Sequence, residues 1–553
     1  MKKLILTVLI TTVILNLISA VSYSQSSPDV VVIQRVYFTG NNIFNYFQNT
    51  GIFNQNTTSG STAGLFWAAD SMKSYCFTAG FNISGIVKGQ LAQVMASYSG
   101  EYAPGYFIDS MYKTNADMKI YKVNRTDNSW NNPDYANWYK MIPFGAPYED
   151  VNNNCIYDDG IDKPGVPEAS QTLFIVYADG DISQRNAGNG FGGGINNPIF
   201  GAEVRMTVWA YEIYLPDVQY MRYQIVNKSK NTWDSTYFGF FADPDSPIPN
   251  FGSYRDIPGC DTLLNLGYSW NNDSTFVCGA YGVQVLQGAY NKSTGDTLGM
   301  TSFTLSRLHY PCNHEATGMP RYAHNYLKGY KTDGTSFLDP TYTPYRKTKF
   351  VYSGDPETNA GWTPKKGFVF NCGGVDTGAV VLLQGYDDKF AIGIGADNLK
   401  IMPGDTQNVY FAQLLAKGNT NPNSVTKLKT LAHSSRVFFK SGMAEDVEKN
   451  CGGVKPIPDD FSISQNFPNP FNGSTIIRYS LPRSAYVKIT VYNMLGREIA
   501  VPVNGQISAG YYETSISSLN LASGIYFYRM EVIDNTVSNA LKLGRVYKMA
   551  VIK

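Results

Sequence analysis

Apolar and polar positions alternate with a period of two through several short runs near the C-terminal end. Val487, Ile489 and Val491 interleave with Lys488, Thr490 and Tyr492, the pattern of a strand with one buried face. Ile477, Tyr479 and Leu481 follow the same rule, as do Tyr526, Tyr528, Met530 and Val532. Turn pairs punctuate these runs at Asn472-Gly473, Leu495-Gly496, Asn504-Gly505, Ala509-Gly510 and Ser523-Gly524. Short strands separated so regularly predict a small, Ig-like antiparallel β-sandwich over residues 461–553. Pro468 and Pro470 cannot donate ladder hydrogen bonds, so Asn466-Phe467-Pro468-Asn469-Pro470-Phe471 reads as an edge or entry loop with its two Phe rings packed down.

Upstream, strand-like runs cover Val30–Ile33, Thr172–Tyr177, Glu203–Ile213, Gln219–Asn227, Thr236–Ala242 and Asn408–Leu415. Helical periodicity is confined to short pieces such as Ser424–Phe439, where Val425, Leu428, Leu431 and Val437, with Ala432 beside them, make an apolar stripe. No fixed-period repeat is visible. The fold class is therefore all-β: a large β-sandwich-rich body over residues 26–442, followed by the small C-terminal sandwich. That body exceeds a typical single core, which leaves one sandwich and two packed sandwiches both open. Residues 443–460 are polar and Gly-containing, without a strand pattern, and read as an exposed linker. At the other end, Lys2 and Lys3 precede an apolar run from Leu4 to Ile18 and then small residues. This is the layout of a secretory signal peptide over residues 1–24, with cleavage after Ala20 or Ser24. The run is too short to cross a bilayer comfortably and no later one is longer, so no transmembrane span is expected.

Four strings in the tail, taken in order, carry a resemblance. Asn466-Phe467-Pro468-Asn469-Pro470-Phe471-Asn472, Val491-Tyr492-Asn493-Met494-Leu495-Gly496-Arg497-Glu498, Leu521-Ala522-Ser523-Gly524-Ile525-Tyr526 and the terminal Lys548-Met549-Ala550-Val551-Ile552-Lys553 resemble the type A C-terminal sorting domain of the bacterial type IX secretion system. The matching positions are Asn466, Pro468, Asn469, Pro470, Phe471, Tyr492, Gly496, Gly510, Gly524, Tyr526, Lys548 and Lys553. The segment Asp534–Arg545 is longer than that pattern has before its terminal Lys-Met string. The resemblance implies export across the inner and then the outer membrane, with the type IX translocon and its surface sortase-like machinery as partners. It also implies removal of the tail at the linker and a final place outside the cell or on the outer surface of the outer membrane. Scattered strings in the body, including Gly64-Leu65-Phe66-Trp67, Gly145-Ala146-Pro147, Asp243-Pro244-Asp245, Gly259-Cys260-Asp261 and Pro403-Gly404-Asp405-Thr406-Gln407, resemble a body region recurring in secreted proteins of Bacteroidota-like bacteria, for which the resemblance implies no activity.

Composition narrows the body's partners. Lys and Arg number 45 against 44 Asp and Glu, so a chain this close to neutral has no electrostatic case for nucleic acid or an anionic membrane. Aromatics are 14% with 40 Tyr, which suits an extracellular β protein whose Tyr rings pack on sheets while their hydroxyls stay wet. Seven cysteines allow disulfides in an exported chain; Cys260 and Cys278 are spaced to close a hairpin-sized loop, and an odd count leaves at least one thiol unpaired or intermolecular.

The foremost chemical candidate is Asp150-Val151-Asn152-Asn153-Asn154-Cys155-Ile156-Tyr157-Asp158-Asp159-Gly160-Ile161-Asp162. Asp150, Asn152, Asn154 and Asp158, the Ile156 carbonyl and Asp162 offer the converging oxygens that structural Ca2+ requires. The run resembles the calcium loops of EF-hand, dockerin and thrombospondin type 3 repeats, but Cys155 stands where Gly makes the sharp turn and Asp162 falls one place late. The alternative is an Asx-rich surface turn. A second acidic group, Asp243, Asp245, Asp256 and Asp261, lies among rigid Pro turns with irregular spacing. His314-Glu315 lacks the second His of a zinc hydrolase helix, and Gly318-Met319-Pro320 would break that helix, so His309, His314 and His324 read as incidental. Gly190, Gly192, Gly193 and Gly194 lack the Lys-Ser/Thr of a phosphate loop. The function expected is a non-enzymatic adhesive, matrix or binding component contacting extracellular glycans or proteins. The rival is a secreted hydrolase of polysaccharide or peptide with carboxylates scattered across strands.

Overall fold

Long β-branched and aromatic runs form strands close to where the periodicity places them: Gln171–Ala178, Ala202–Ala210, Val218–Asn227, Trp233–Pro244 and Thr406–Ala416. In this computed structural model the described residues are 33–56, 62–152, 154–185, 191, 194, 197–247, 256–307, 312–316, 318–374, 379–382, 387–443, 461–466, 469–507, 510–519, 521–533, 541–542 and 546–552. The expected signal peptide, the Val30–Ile33 run up to Val32, and linker residues 444–460 lie outside them.

Two nine-stranded antiparallel sheets make the body. The first runs Arg35–Phe38, Ile43–Gln48, Ile52–Phe53, Lys73–Val87, Trp233–Pro244, Asp388–Gly395 and Ser302–Arg307, with Leu65–Trp67 and Gln90–Val94 on its flank. The second runs Tyr121–Asn124, Gln171–Ala178, Ala202–Ala210, Val218–Asn227, Thr406–Ala416, Ala280–Gln287, Leu266–Asn271 and Asp256–Asp261, with Ala103–Pro104 beside Gln171–Ala178. They face each other through aromatic rings. Phe81 of the first stacks on Tyr223 of the second at 4.3 Å between centroids, and Phe240 meets Phe411 at 5.2 Å. The body is thus built on one sandwich, and the chain is all-β.

The outer faces are also covered. Helix Asn421–Phe438 lays Val425, Leu428 and Ala432 into one apolar cluster with Trp209, Tyr220, Tyr410 and Leu414 of the second sheet. A short helical segment, Trp138–Phe144, covers Tyr121, Phe174 and Val176 further along the same face. Gln171–Ala178, Ala202–Ala210 and Val218–Asn227 are therefore buried at every position. The helix starts at Asn421, before the expected Ser424, because Thr420 accepts the Asn423 amide hydrogen at its N-terminus. Val437, expected in the stripe, is 56% exposed, since the buried face runs through Asn421, Ser424, Val425, Leu428, Ala432 and Ser435.

Helix Pro320–Lys328 closes the first sheet's outer face over a trough made by two glycines paired across adjacent strands, Gly239 and Gly393. A Cβ on Gly393 would sit 2.0 Å from the Leu327 carbonyl oxygen, and one on Gly239 would sit 2.2 Å from Leu327 Cδ2. Only glycine permits this approach.

The C-terminal region is a second sandwich with its own core. A three-stranded sheet of Ser462–Ile463, Ser474–Leu481 and Gly510–Ser517 faces a five-stranded one ordered Glu498–Ile507, Ala485–Asn493 and Gly524–Ile533, with Leu541–Lys542 and Tyr547–Val551 along the far edge. Ile477, Tyr479, Leu481, Val487, Ile489, Val491, Tyr528, Met530 and Val532 fill it, as the alternation predicts. Asn504-Gly505 differs: it lies inside the strand Glu498–Ile507, opposite Lys488 and Val487, because the cross-strand ladder outweighs the local turn signal.

The cysteine expectation is overturned in part. Cys260 and Cys278 are free and buried, as is Cys76; they sit in separate core positions where each thiol behaves as a small apolar group. Cys312 pairs with Cys372, and Cys155 is disulfide-bonded.

Replacing Gly393 with Ala should lower the unfolding free energy by about 1–3 kcal/mol through overpacking. The same change at Gly505, where an added Cβ would meet nothing within 4 Å, should leave the melting midpoint nearly unmoved. Equal shifts for the two variants in thermal denaturation would contradict the trough.

Candidate functional site

The loop after Tyr148 is braced by its own side chains. Asp150 accepts backbone N–H groups from Asn154 at 3.2 Å and Cys155 at 2.8 Å, Asn152 accepts from Asn154, and Asn154 accepts from Ile156. Cys155 takes φ +66°, the left-handed backbone that the sharp turn requires, so a disulfide-bonded cysteine serves where glycine was expected. Asp158 accepts both the Asn152 and Asn154 amides, at 2.7 and 2.6 Å. Asp162 is 1% exposed, and its two oxygens accept the Val151 and Asp158 backbone N–H groups, so it clasps the ends of the loop. Ile156 is exposed. The oxygens of Asp150, Asn152, Asn154 and Asp158 are thus held within one tight turn, a donor set that fits a hard cation.

The second acidic group divides. Asp243 ends the strand Trp233–Pro244 and Asp245 follows it; together with Asp387 they bring one carboxylate oxygen each within 4.8 Å of one another. Asp256 is fully buried, accepts the Ser246 amide hydrogen at 2.7 Å and still senses the charges of Asp245 and Asp387. Asp261 belongs elsewhere, paired with Lys429 at 3.3 Å. Asp387 and its neighbour Lys389 were not singled out by spacing; the signal available was a charged Asp-Asp-Lys triplet opening an apolar strand.

Among the described residues the histidines do not converge. His324 sits on helix Pro320–Lys328 against the first sheet, 2.8 Å from Ser84 Oγ and edge-on to Tyr237. His314 contacts the Glu315 carbonyl and the Tyr322 ring, His433 is exposed, and His309 lies outside the described residues. Gly194 donates to the buried Glu101; Gly190, Gly192 and Gly193 lie outside the described residues.

An open cleft of about 650 Å³ is lined by Thr262, Tyr330, Arg346, Lys347, Lys349 and Phe350, among others. Arg346 pairs with Asp339 at 3.2 Å and lies over the Tyr342 ring, while Lys347 and Lys349 are exposed. The cleft joins positive charge to aromatic surface and was not read from the sequence, although Tyr345-Arg346-Lys347-Thr348-Lys349-Phe350 is a local basic and aromatic run that could have signalled it.

In the C-terminal sandwich the motif residues meet the terminal strand. Asn466 is buried, its amide hydrogen donated to Tyr528 Oη and its side chain to Thr475. Phe471, 2% exposed, donates its N–H to Ala550 O and accepts from Ile552 N, and Asn469 bonds Ala550 N and Lys548 O. Pro470 is exposed, Gly496 and Gly510 adopt positive φ, and Gly524 opens the strand in which Tyr526 is buried. Tyr492 stacks under the Arg529 guanidinium, Lys548 is exposed, and Phe467, Pro468 and Lys553 lie outside the described residues.

Residues 465–542 match the family described as the secretion system C-terminal sorting domain. No curated protein matches the chain. Among solved structures, a polysaccharide lyase is 6% identical with a TM-score of 0.20, covering 95% of this chain, which spans 46% of the lyase. The adhesin domain of Epf from Streptococcus pyogenes is 8% identical with a TM-score of 0.13, over 62% of this chain and 81% of that one. Likenesses this slight carry no function. Among the described residues no helix is long and apolar enough to cross a membrane.

Burial, reinforced by Lys328, depresses the His324 imidazolium from its ordinary value to about 4. The unfolded chain therefore binds the extra proton between roughly pH 6.5 and 4, and the native state loses stability as pH falls through that window. His324→Gln should remove a pH-dependent loss on the order of 2 kcal/mol, measured by urea denaturation at pH 7 and pH 4.5. An unchanged pH slope would contradict the buried neutral imidazole.

Proposed function

We propose that the chain is cargo of the type IX secretion system, a reading supported by the sorting-domain match over residues 465–542, and that its body is a non-enzymatic adhesive, matrix or binding component delivered outside the cell, whose basic cleft takes an anionic glycan. The observation carrying this reading is the cleft itself: Arg346, Lys347 and Lys349 beside Tyr330 and Phe350 supply point charges and stacking surface for a polymer bearing carboxylate or sulfate groups. Its open shape suits a chain passing through. A signal peptide over residues 1–24 and attachment at the outer surface of the outer membrane complete the route in this reading, with the translocon and sortase-like machinery as partners.

The rival hydrolase has a less suitable centre. Of the three carboxylates brought together among the described residues, Asp243, Asp245 and Asp387, Asp243 is buried away from any substrate chain. Both readings meet one experiment. The full chain should retain polyuronate or sulfated glycan in a salt-sensitive manner, without product release, and Lys347→Glu with Lys349→Glu should weaken binding about tenfold or more. Turnover of the glycan, or retention indifferent to both substitutions, would sink the proposal.

Calcium is the second part of the reading. Asp150, Asn152, Asn154 and Asp158 with the Ile156 carbonyl would hold it, while Asp162 clasps the loop; bound there, the ion would stiffen a long surface excursion. Calcium at 100 times its dissociation constant should stabilise the chain by about 2.7 kcal/mol relative to chelator. Asp150→Ala/Asp158→Ala should lose that share of the thermal shift, and a double variant that keeps it would remove the loop from consideration.

A further inference from the structure

One end of the first sheet gathers more carboxyl groups than cations. The ends of two neighbouring strands, Trp233–Pro244 and Asp388–Gly395, bring Asp243, Asp245 and Asp387 together. Glu315 and the buried Asp256 stand beside them, while Lys389 is the cation that faces the group among the described residues. Lys389 Nζ is 2.7 Å from Asp387 Oδ2 and 3.4 Å from Glu315 Oε1, but 3.9 Å from Asp243 Oδ1. Arg307 pairs with Asp388.

A separate observation singles out one atom. Asp243 is 5% exposed; its Oδ2 accepts the Tyr98 hydroxyl at 2.7 Å, whereas Oδ1 is fully buried and accepts no hydrogen bond. A buried carboxylate oxygen without a donor costs free energy that native structures avoid unless another ligand arrives. Its direction is fixed: Oδ1 lies on the Lys389 side, and Lys389 bridges to Asp387.

We infer that Asp243, Asp245 and Asp387 bind a hard divalent cation, calcium in an extracellular medium, with Asp243 Oδ1 as its most deeply buried ligand. The donor set is all oxygen, which selects calcium or magnesium over softer metals, and loose spacing set by two strand ends favours the larger ion. Cys76 is no ligand: its thiol donates to the Thr78 and Asp243 carbonyls, and burial holds it protonated. The bound ion would lock the two strand ends together.

The test is run on the full chain carrying Asp150→Ala/Asp158→Ala, so that the surface loop contributes nothing. Titration calorimetry with calcium chloride should find one equivalent bound, weakened at least tenfold by Asp387→Asn and by Asp243→Asn. Asp245→Asn, at the half-buried rim, should weaken it likewise if the buried substitution does not fold. Lys389→Met should tighten calcium binding and make the melting temperature strongly calcium-dependent, since the ammonium 2.7 Å from Asp387 Oδ2 no longer opposes the ion. No bound equivalent in the parent, affinity unmoved by the aspartate substitutions, or a Lys389→Met chain indifferent to calcium would each overturn the inference.

Discussion

Five polar side chains, sealed between the two sheets of the body, hold those sheets in a single relative position. Asn45 bonds Asn54 and exchanges two hydrogen bonds with Gln219; Gln413 donates to Gln219 and accepts from both Asn54 and the Tyr281 hydroxyl. Each of the four amides both donates and accepts within the set, and all five residues are essentially buried. Aromatic contacts such as Phe81 on Tyr223 would tolerate sliding. An amide ring does not, because one displaced member strands its neighbours at about 1–3 kcal/mol each. Asn54 takes φ +63° to reach its place, a backbone cost that only a fully satisfied network offsets.

With the sheets fixed, their outer faces become the next problem, and the chain meets it with helices taken from long connections. Helix Asn421–Phe438 and the Trp138–Phe144 segment bury the second sheet, and helix Pro320–Lys328 buries the first over its glycine trough. The body is accordingly a sandwich with covers. This rigidity is what allows its ends to hold charge. Arg185 with Asp179, Arg205 with Glu203 and Arg307 with Asp388 are buried ion pairs with hydrogen-bonded geometry, tolerable because their partners cannot drift.

Two of the candidate sites sit where strands stop: the Asx loop follows Tyr148 and the aspartate cluster spans the ends of two adjacent strands. The basic cleft instead runs along the short strand Arg346–Thr348 and the residues after it. In the C-terminal sandwich the same logic serves a different purpose: the Asn466–Phe471 segment is laced to the terminal strand by Asn469 and Phe471, so the two ends of the sorting motif form one surface.

Much of this was legible in local pattern. Period-two alternation located the inward-facing residues of three strands of the C-terminal sandwich, since one face of each is wet, but it missed Glu498–Ile507, whose Asn504-Gly505 read as a turn; short strings there matched its family. The Asx loop was equally legible, because its chemistry lies within a few consecutive residues. Where burial is two-sided, as in Ala202–Ala210, alternation disappears and sequence gives the strand without its neighbours. The amide ring, the fate of Cys260 and Cys278 and the company of Asp243 are relations between residues far apart in the chain. No periodicity encodes them, for they exist only once strand order has been chosen and the two sheets have closed on each other.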